Sequence, residues 1–345
     1  MTRSPLARPR VTITDVARAA AVSRQTVSNA VNNPHRLSPE TLERVLATIG
    51  DLGYRPQAAA QSLRHQRTGA IGVELGTLGP RRLNETTAPL LAALGVVGAP
   101  HDFHVVPFGS SSDEPMIDGY ENMWRTRLVD SFIIMDTHHG DPRPQWLEAH
   151  GIPFVSFGRV WDDPGFTRWV DVDGAAGTQA ATEHLLAGGY RRVGFLGWPE
   201  GSLVGDDRWL GWERTVPESH RGPSARVSQN LRAAWTAATE LIGRLEPGDA
   251  LVCASDILAL GVHHALLAAG RQVGAEIGLI GFDGSPIAEI HDLSTIAHPI
   301  HQAAEALLTL LRGELDAAPP PAEGRLLAPH LVARASTSGP GNTHR

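Results

Sequence analysis

Arg24, Gln25 and Asn29 stand in the segment SRQTVSNAVNN at a spacing that, on a helix, exposes all three while Val27 and Ala30 face inward. An arginine can donate twice to guanine. Glutamine or asparagine can pair with adenine through both a donor and an acceptor. Ser23, Thr26, Ser28 and Asn32 are interleaved short polar groups suited to phosphate oxygens. This is the chemistry of reading a duplex. A second set of polar groups falls further along. Asp136, Arg159, Asp173, Ser255, Asp256, Asp283 and His298 lie at or just after short apolar runs, and Arg208 is expected to open a helix. Carboxylates and arginine can each hold two adjacent sugar hydroxyls, and Trp161 and Trp198 offer walls for a sugar face. No G-x-S-x-G, H-E-x-x-H or P-loop pattern occurs, so no enzyme is expected. His138 and His139 beside Asp136 and Asp141 are one loop cluster without cysteine, too weak a pattern for a metal site. No metal and no cofactor is expected.

Local signals place the first set. Thr12 caps a helix with Asp15 at its third position, and Val16, Ala17, Ala19 and Ala20 give it a short apolar face. Ala21-Val22 makes a turn, Ser23 caps a second helix from Arg24 to about Val31, and Asn32-Asn33-Pro34 stops it. Ser38-Pro39 opens a third helix whose Leu42, Val45, Leu46 and Ile49 form one stripe, ended by Gly53. Two short helices joined by a tight turn and braced by a third make a helix-turn-helix. Residues 1–70 hold ten arginines against four carboxylates, a net +6. With −7 on the whole chain, the remainder carries −13. A basic head on an acidic body means that the head alone meets phosphate.

From about residue 69 the rhythm changes. Ile71–Leu75, Phe103–Phe108, Phe132–Met135, Phe154–Phe157, Val193–Leu196, Ala250–Ala254 and Ile277–Phe282 are apolar runs separated by longer, partly helical segments. Strands alternating with helices predict parallel sheets. Two such sheets make two subdomains with a cleft at the carboxyl ends of the strands. The 345-residue chain is long enough for two or three folded units, and its 42% hydrophobic and 19% charged residues are ordinary for a globular protein. No apolar run is long enough to span a membrane, and MTRSPLARPR lacks the apolar stretch of a secretory signal. The single cysteine, Cys253, lies in ALVCAS and reads as a buried structural thiol in a reducing compartment. These features together suggest a cytoplasmic protein.

The segment VTITDVARAAAVSRQTVSNAVNNPHRLSPETLERVLATIGDLGYRPQAAAQSLR resembles the headpiece of the LacI/GalR regulators over its whole length, with DVA, VS-x-x-TVS and LGY-x-P at the family spacing. The resemblance implies base contacts from Arg24, Gln25 and Asn29, and backbone contacts from Thr12, Ser23, Thr26, Ser28, Asn32, Thr41 and Tyr54. It also implies a hinge helix in which Gln57, Ala60 and Leu63 meet the minor groove and Leu63 wedges a base step. Many relatives carry arginine or histidine where this chain has Asn29, so its operator is expected to differ at that base. The body is similar to the periplasmic-binding-protein-like core of the same family, through EHLLAGGYRRVGFLG, Arg208-Trp209-Leu210-Gly211-Trp212, ASDILALG and IGLIGFDG. By that resemblance Arg208, Asp283, Ser255, Arg159, Asp173 and His298 fall at effector positions.

The expected architecture is therefore an all-α helix-turn-helix headpiece with a hinge helix, followed by an α/β core of two parallel-sheet subdomains. Its boundaries are a disordered arm at 1–10, the headpiece at 11–55, the hinge and linker at 56–68, the core at 69–335 and a disordered tail at 336–345. The expected function is a transcriptional regulator, a repressor, controlled by a small molecule in the cleft. It works as a homodimer or tetramer on a pseudo-palindromic operator, paired through helices near 84–98 and 256–270. A sugar is the leading effector class. The chain has Gly79-Pro80-Arg81-Arg82-Leu83 where relatives carry an Asn-Pro-Phe-Phe-like segment, so a phosphorylated metabolite or a nucleobase stays open as an alternative.

Overall fold

The computed structural model is described over residues 11–54, 67–77, 85–110 and 116–340. The chain divides into two units, Met1–Thr68 and Gly69–Arg345.

The first unit holds α1 (Ile13–Ala19), α2 (Arg24–Asn32) and α3 (Pro39–Leu52). Each begins where a side chain takes over an orphaned backbone N–H. Thr12 and Asp15 form a reciprocal capping box, Ser23 accepts from Thr26 N, and Ser38 accepts from Thr41 N. Gly53 ends α3 in the left-handed conformation. Val16, Ala17, Ala20, Val27, Ala30 and Val45 form the small core. Two expected core members lie elsewhere. Ala19 is exposed and Leu46 is 48% exposed, because three short helices enclose only a narrow stripe of each. The expected hinge residues Gln57, Ala60 and Leu63 lie outside the described residues, as do the segment 79–83, the arm 1–10 and the Asn32 side chain.

The second unit contains two six-stranded sheets. One runs β11-β5-β4-β3-β1-β2 and is parallel throughout, built from β1 (Ala70–Thr77), β2 (His104–Ser110), β3 (Ser131–Met135), β4 (Phe154–Phe157), β5 (Trp169–Val172) and β11 (Arg325–Leu327). The other runs β12-β10-β9-β8-β6-β7, from β6 (Arg192–Gly197), β7 (Arg221–Arg226), β8 (Asp249–Cys253), β9 (Ile277–Asp283), β10 (Ser294–Ala297) and β12 (His330–Val332). All seven expected strands are present. The additional ones, β5, β7, β10, β11 and β12, are short or polar and mostly lie near the sheet edges, where little continuous apolar surface is needed. The second sheet departs from the expectation in one respect: β12 pairs antiparallel with β10.

The chain passes between the subdomains three times: after β5, after β10 and between β11 and β12. Helix α12 (Ile300–Leu315) follows β10 yet packs Ala303, Ala304, Leu307 and Leu311 into the core of the first subdomain. Chain crossings of this kind can serve as a hinge between subdomains, and the strand ends of the two sheets meet where Arg159 bonds Asp207 and Glu85 lies near Asp283.

The expected disordered tail at 336–345 is corrected for its first residues. Ser336 and Thr337 are buried. The Ser336 hydroxyl donates to Leu279 O and accepts from Ser294 N, and Thr337 Oγ1 lies 2.9 Å from His184 Nε2. The Gly339 N–H donates to the Tyr190 hydroxyl. These polar residues have no apolar pattern to announce them, but they bond the start of β10 and a carbonyl of the neighbouring β9. Cys253 is fully buried, as expected.

Candidate functional site

Arg208 sits inside α8 (Leu203–Thr215), one turn beyond the helix start where the sequence suggested it. Its backbone is held against α7 (Gly174–Ala187) by the Thr178 hydroxyl, which donates to Arg208 O at 2.7 Å. The helices approach so closely at Gly211 that a Cβ there would lie 2.1 Å from Ala175 O. The guanidinium is 3.7 Å from the centre of the Phe282 ring and 5.1 Å from that of Trp198. Nη1 donates to Ala254 O and to Asp283 Oδ1 (3.1 Å), while Nη2 lies 3.4 Å from His298 Nε2. His298 closes the triangle, 3.2 Å from Asp283 Oδ1. Asp283 ends β9 with φ +118, a conformation that L-residues rarely adopt and that clusters at functional sites.

Around this triangle several buried polar atoms have no hydrogen-bond partner: Arg208 Nε, His298 Nδ1, Trp198 Nε1 and Glu85 Oε2. Buried polar groups are ordinarily satisfied, so these atoms are suited to a ligand's hydroxyls. Glu85 precedes α4 (Thr87–Gly98) of the first subdomain, and no motif or apolar pattern marks it in the sequence. Burial first, then the negative charges of Asp283 and Asp256, push its carboxyl up to about 8.

Ser255 and Asp256 are already engaged by the fold. Ser255 caps α10 (Asp256–Ala268), accepting from Leu258 N. Asp256 accepts from Ser285 N at 2.8 Å and from the Thr295 hydroxyl at 2.7 Å. Burial and the charge of Asp283 raise its carboxyl to about 7. Asp256 thus holds the chain after β9, and Ser255 holds the start of α10. Asp173 likewise caps α7 through Ala176 N.

Arg159 joins the subdomains. Its Nε donates to Asp171 Oδ2 at 2.7 Å and its Nη2 to Asp207 Oδ2 at 3.1 Å, beside Arg208 in sequence. The Arg159 guanidinium also lies 4.6 Å from the Trp161 ring centre. Asp136 is exposed at the end of β3, with φ +52. The loop after it is anchored by a network absent from the sequence reading. Buried Arg143, on α6 (Pro142–Ala149), donates to both Asp141 oxygens, to Glu74 Oε2 (3.0 Å) and to Met135 O (2.8 Å), and the Tyr120 hydroxyl donates to Glu74. Glu74 was hidden within a run that otherwise reads as an apolar strand.

In the headpiece unit Arg24 and Gln25 are exposed and Asn29 is half-buried. The Gln25 amide donates to Asn29 Oδ1 at 3.2 Å, so the two side chains act as one polar surface on α2. Ser23 and Thr26 share a hydroxyl contact at 2.8 Å, and Thr41 Oγ1 accepts from Ser38. Thr12 is engaged by Asp15, and half-buried Tyr54 packs against the headpiece core.

Comparison with known proteins bears on both units. Residues 12–57 match the model of bacterial regulatory proteins of the lacI family, and residues 182–337 match that of the periplasmic binding protein-like domain. The chain is 32% identical to the HTH-type transcriptional regulator GalS of Salmonella typhimurium, over 89% of this chain and 92% of that one. The chain belongs to the LacI family. It is a DNA-binding transcriptional regulator and not an enzyme. This LacI-family regulator is also 29% identical to the HTH-type transcriptional regulator CelR of Thermobifida fusca, over 95% of its own length and 99% of the relative's. It superimposes on the solved structure of a transcriptional regulator CelR–cellobiose complex with a TM-score of 0.67, at 25% identity, covering 95% of this chain and 100% of that one. Among the described residues, no helix of this regulator is long and apolar enough to cross a membrane.

Proposed function

We propose that this regulator is a repressor whose operator affinity is set by a neutral sugar or polyol bound between the two subdomains. The observation that carries the reading is the Arg208–Asp283–His298 triangle beside Trp198, with unpartnered polar atoms on Arg208, His298 and Trp198. An aromatic wall with paired donors and acceptors suits a ring bearing adjacent hydroxyls. Two carboxyl groups, Asp283 and Glu85, face the same place. Asp283 offsets the charge of Arg208, and Glu85, protonated at neutral pH, offers a donor and an acceptor rather than a charge, which favours a neutral hydroxylated ligand over the phosphorylated alternative. The cellobiose complex of CelR is in keeping with this class of ligand.

Arg24, Gln25 and Asn29 are proposed to read bases, with Thr12, Ser23, Thr26, Ser28, Asn32, Thr41 and Tyr54 on the backbone and Gln57, Ala60 and Leu63 in the minor groove. Two copies would pair through the α4 and α10 faces. Val96 is 70% exposed on α4 and Leu267 is 55% exposed on α10, apolar surface of the kind that pairing covers. Ligand closure at the hinge would then alter the spacing of the two headpieces, a coupling typically worth about 1–3 kcal/mol. The test is fluorescence anisotropy of the full-length protein on an operator obtained by in vitro selection, with and without a panel of mono- and disaccharides and their phosphates. At least one neutral sugar should shift both thermal stability and operator affinity. If every sugar that stabilises the protein leaves operator affinity unchanged, the reading fails.

A further inference from the structure

Three histidines outside the cleft converge in the second subdomain. His263 and His264 are neighbours on α10, and His291 ends the short helix α11 (Pro286–Ile290). One nitrogen of each lies within 4.8 Å of the others. The ring centres are 5.5 to 6.1 Å apart and the planes are inclined by 50° to 73°. His263 and His291 are half-buried and His264 is exposed. The Nδ1 atom of His263 is buried with no hydrogen-bond partner.

We propose that His263, His264 and His291 form a binding site for a divalent transition-metal ion of the zinc class. Imidazole nitrogen suits zinc, copper and nickel, and three such ligands leave a fourth position open. A tetrahedral zinc centre with Zn–N bonds of about 2.0–2.1 Å brings nitrogens to about 3.3 Å from one another. With every separation within 4.8 Å, the nitrogens need to close by at most about 1.5 Å, within the reach of rotation about the side-chain bonds. All three ligands come from one chain, with His264 on α10, the helix through which two copies are proposed to pair.

The site has a path to the cleft. The segment 284–291 starts directly after Asp283, its Ser285 caps α11 and its N–H is held by Asp256, and it ends at His291. A metal joining His291 to α10 would fix the far end of the segment that follows Asp283.

The test uses the untagged full-length protein, stripped with a chelator and titrated with Zn²⁺ by calorimetry, with Co²⁺ absorption as a second readout. One tight equivalent per chain is expected, with an absorption band of nitrogen-ligated tetrahedral Co²⁺ and a Zn²⁺-dependent rise in melting temperature. His291→Ala and His264→Gln should each weaken binding by more than about 100-fold, beyond the loss typical of an outer-shell change. Metal-free His264→Gln should keep the wild-type melting temperature and oligomeric state by size-exclusion chromatography, which separates lost binding from lost fold and from lost pairing. Equal Zn²⁺ affinity in the wild type and in both variants would overturn the proposal, as would a wild type without a tight equivalent.

Discussion

Arg208 Nη1 lies 3.1 Å from Asp283 Oδ1, with only 5% and 7% of the two side chains exposed. The partners are 75 residues apart in sequence and share one oxygen with His298. Two charges taken out of water in this way depend on each other, since each offsets the other's loss of hydration.

Removing the cation is therefore expected to do more than remove a ligand contact. Arg208→Ala should destabilise the protein by about 3–5 kcal/mol, since it leaves Asp283 buried without its partner. Arg208→Lys keeps the charge but loses the planar fork. It should remain folded within about 1–2 kcal/mol and lose its response to sugar. Urea denaturation, together with the sugar-induced shift in melting temperature, measures both effects.

Glu85 should give the protein a stability that falls as pH rises. Its folded-state carboxyl titrates at about 8, well above the ordinary glutamate value. Across the interval between the two values the folded state keeps a proton that the unfolded state has released, so raising pH favours unfolding. The effect levels off once pH passes the folded value. Asp256, raised to about 7, acts in the same sense over a lower range. Glu85→Gln should flatten the upper part of the decline and raise the melting temperature at alkaline pH. Thermal melts of both proteins between about pH 5 and about pH 9 would reveal the difference, and parallel curves would refute it.

Arg143 holds the loop after β3 through Asp141, Glu74 and Met135 O. Arg143→Ala strands a buried carboxylate at Glu74 and should cost about 3–5 kcal/mol. The double replacement Arg143→Met with Glu74→Gln should recover part of that loss. Chemical denaturation of the two single variants and the double variant completes the cycle.

Asn29 accepts from Gln25, so its replacement disturbs two side chains of the proposed reading surface. Asn29→Ala should weaken the selected operator by about 1–3 kcal/mol and relax preference at one position per half-site. Equal loss on every operator variant would instead assign Asn29 to the phosphate backbone.

The headpiece was legible because its signals are local. Thr12 with Asp15, Ser23 with Thr26 and Ser38 with Thr41 act across three residues, so the helix starts could be placed directly. The seven apolar runs were equally clear. Leu46 was misplaced because periodicity marks a face without saying how wide the neighbouring helices are. The Ser336–Thr337 seal was missed because its order comes from hydrogen bonds to Ser294 and Leu279, not from apolar pattern.

The sequence by itself determined the three-helix headpiece, the two-sheet core and the polar residues at strand ends, since caps and hydrophobic period act over a few neighbours. Only the tertiary structure decided which of those polar residues remain open to a ligand. Ser255 and Asp256 have the same strand-end position as Asp283, yet they are engaged by Leu258, Ser285 and Thr295, whereas Asp283 faces Arg208 and His298. Glu85 beside Asp283, Arg143 on Glu74, and His291 beside His263 are pairings across subdomains, strands and helices. They follow from three chain crossings and the packing of two sheets, and those distances are set by the folded chain as a whole.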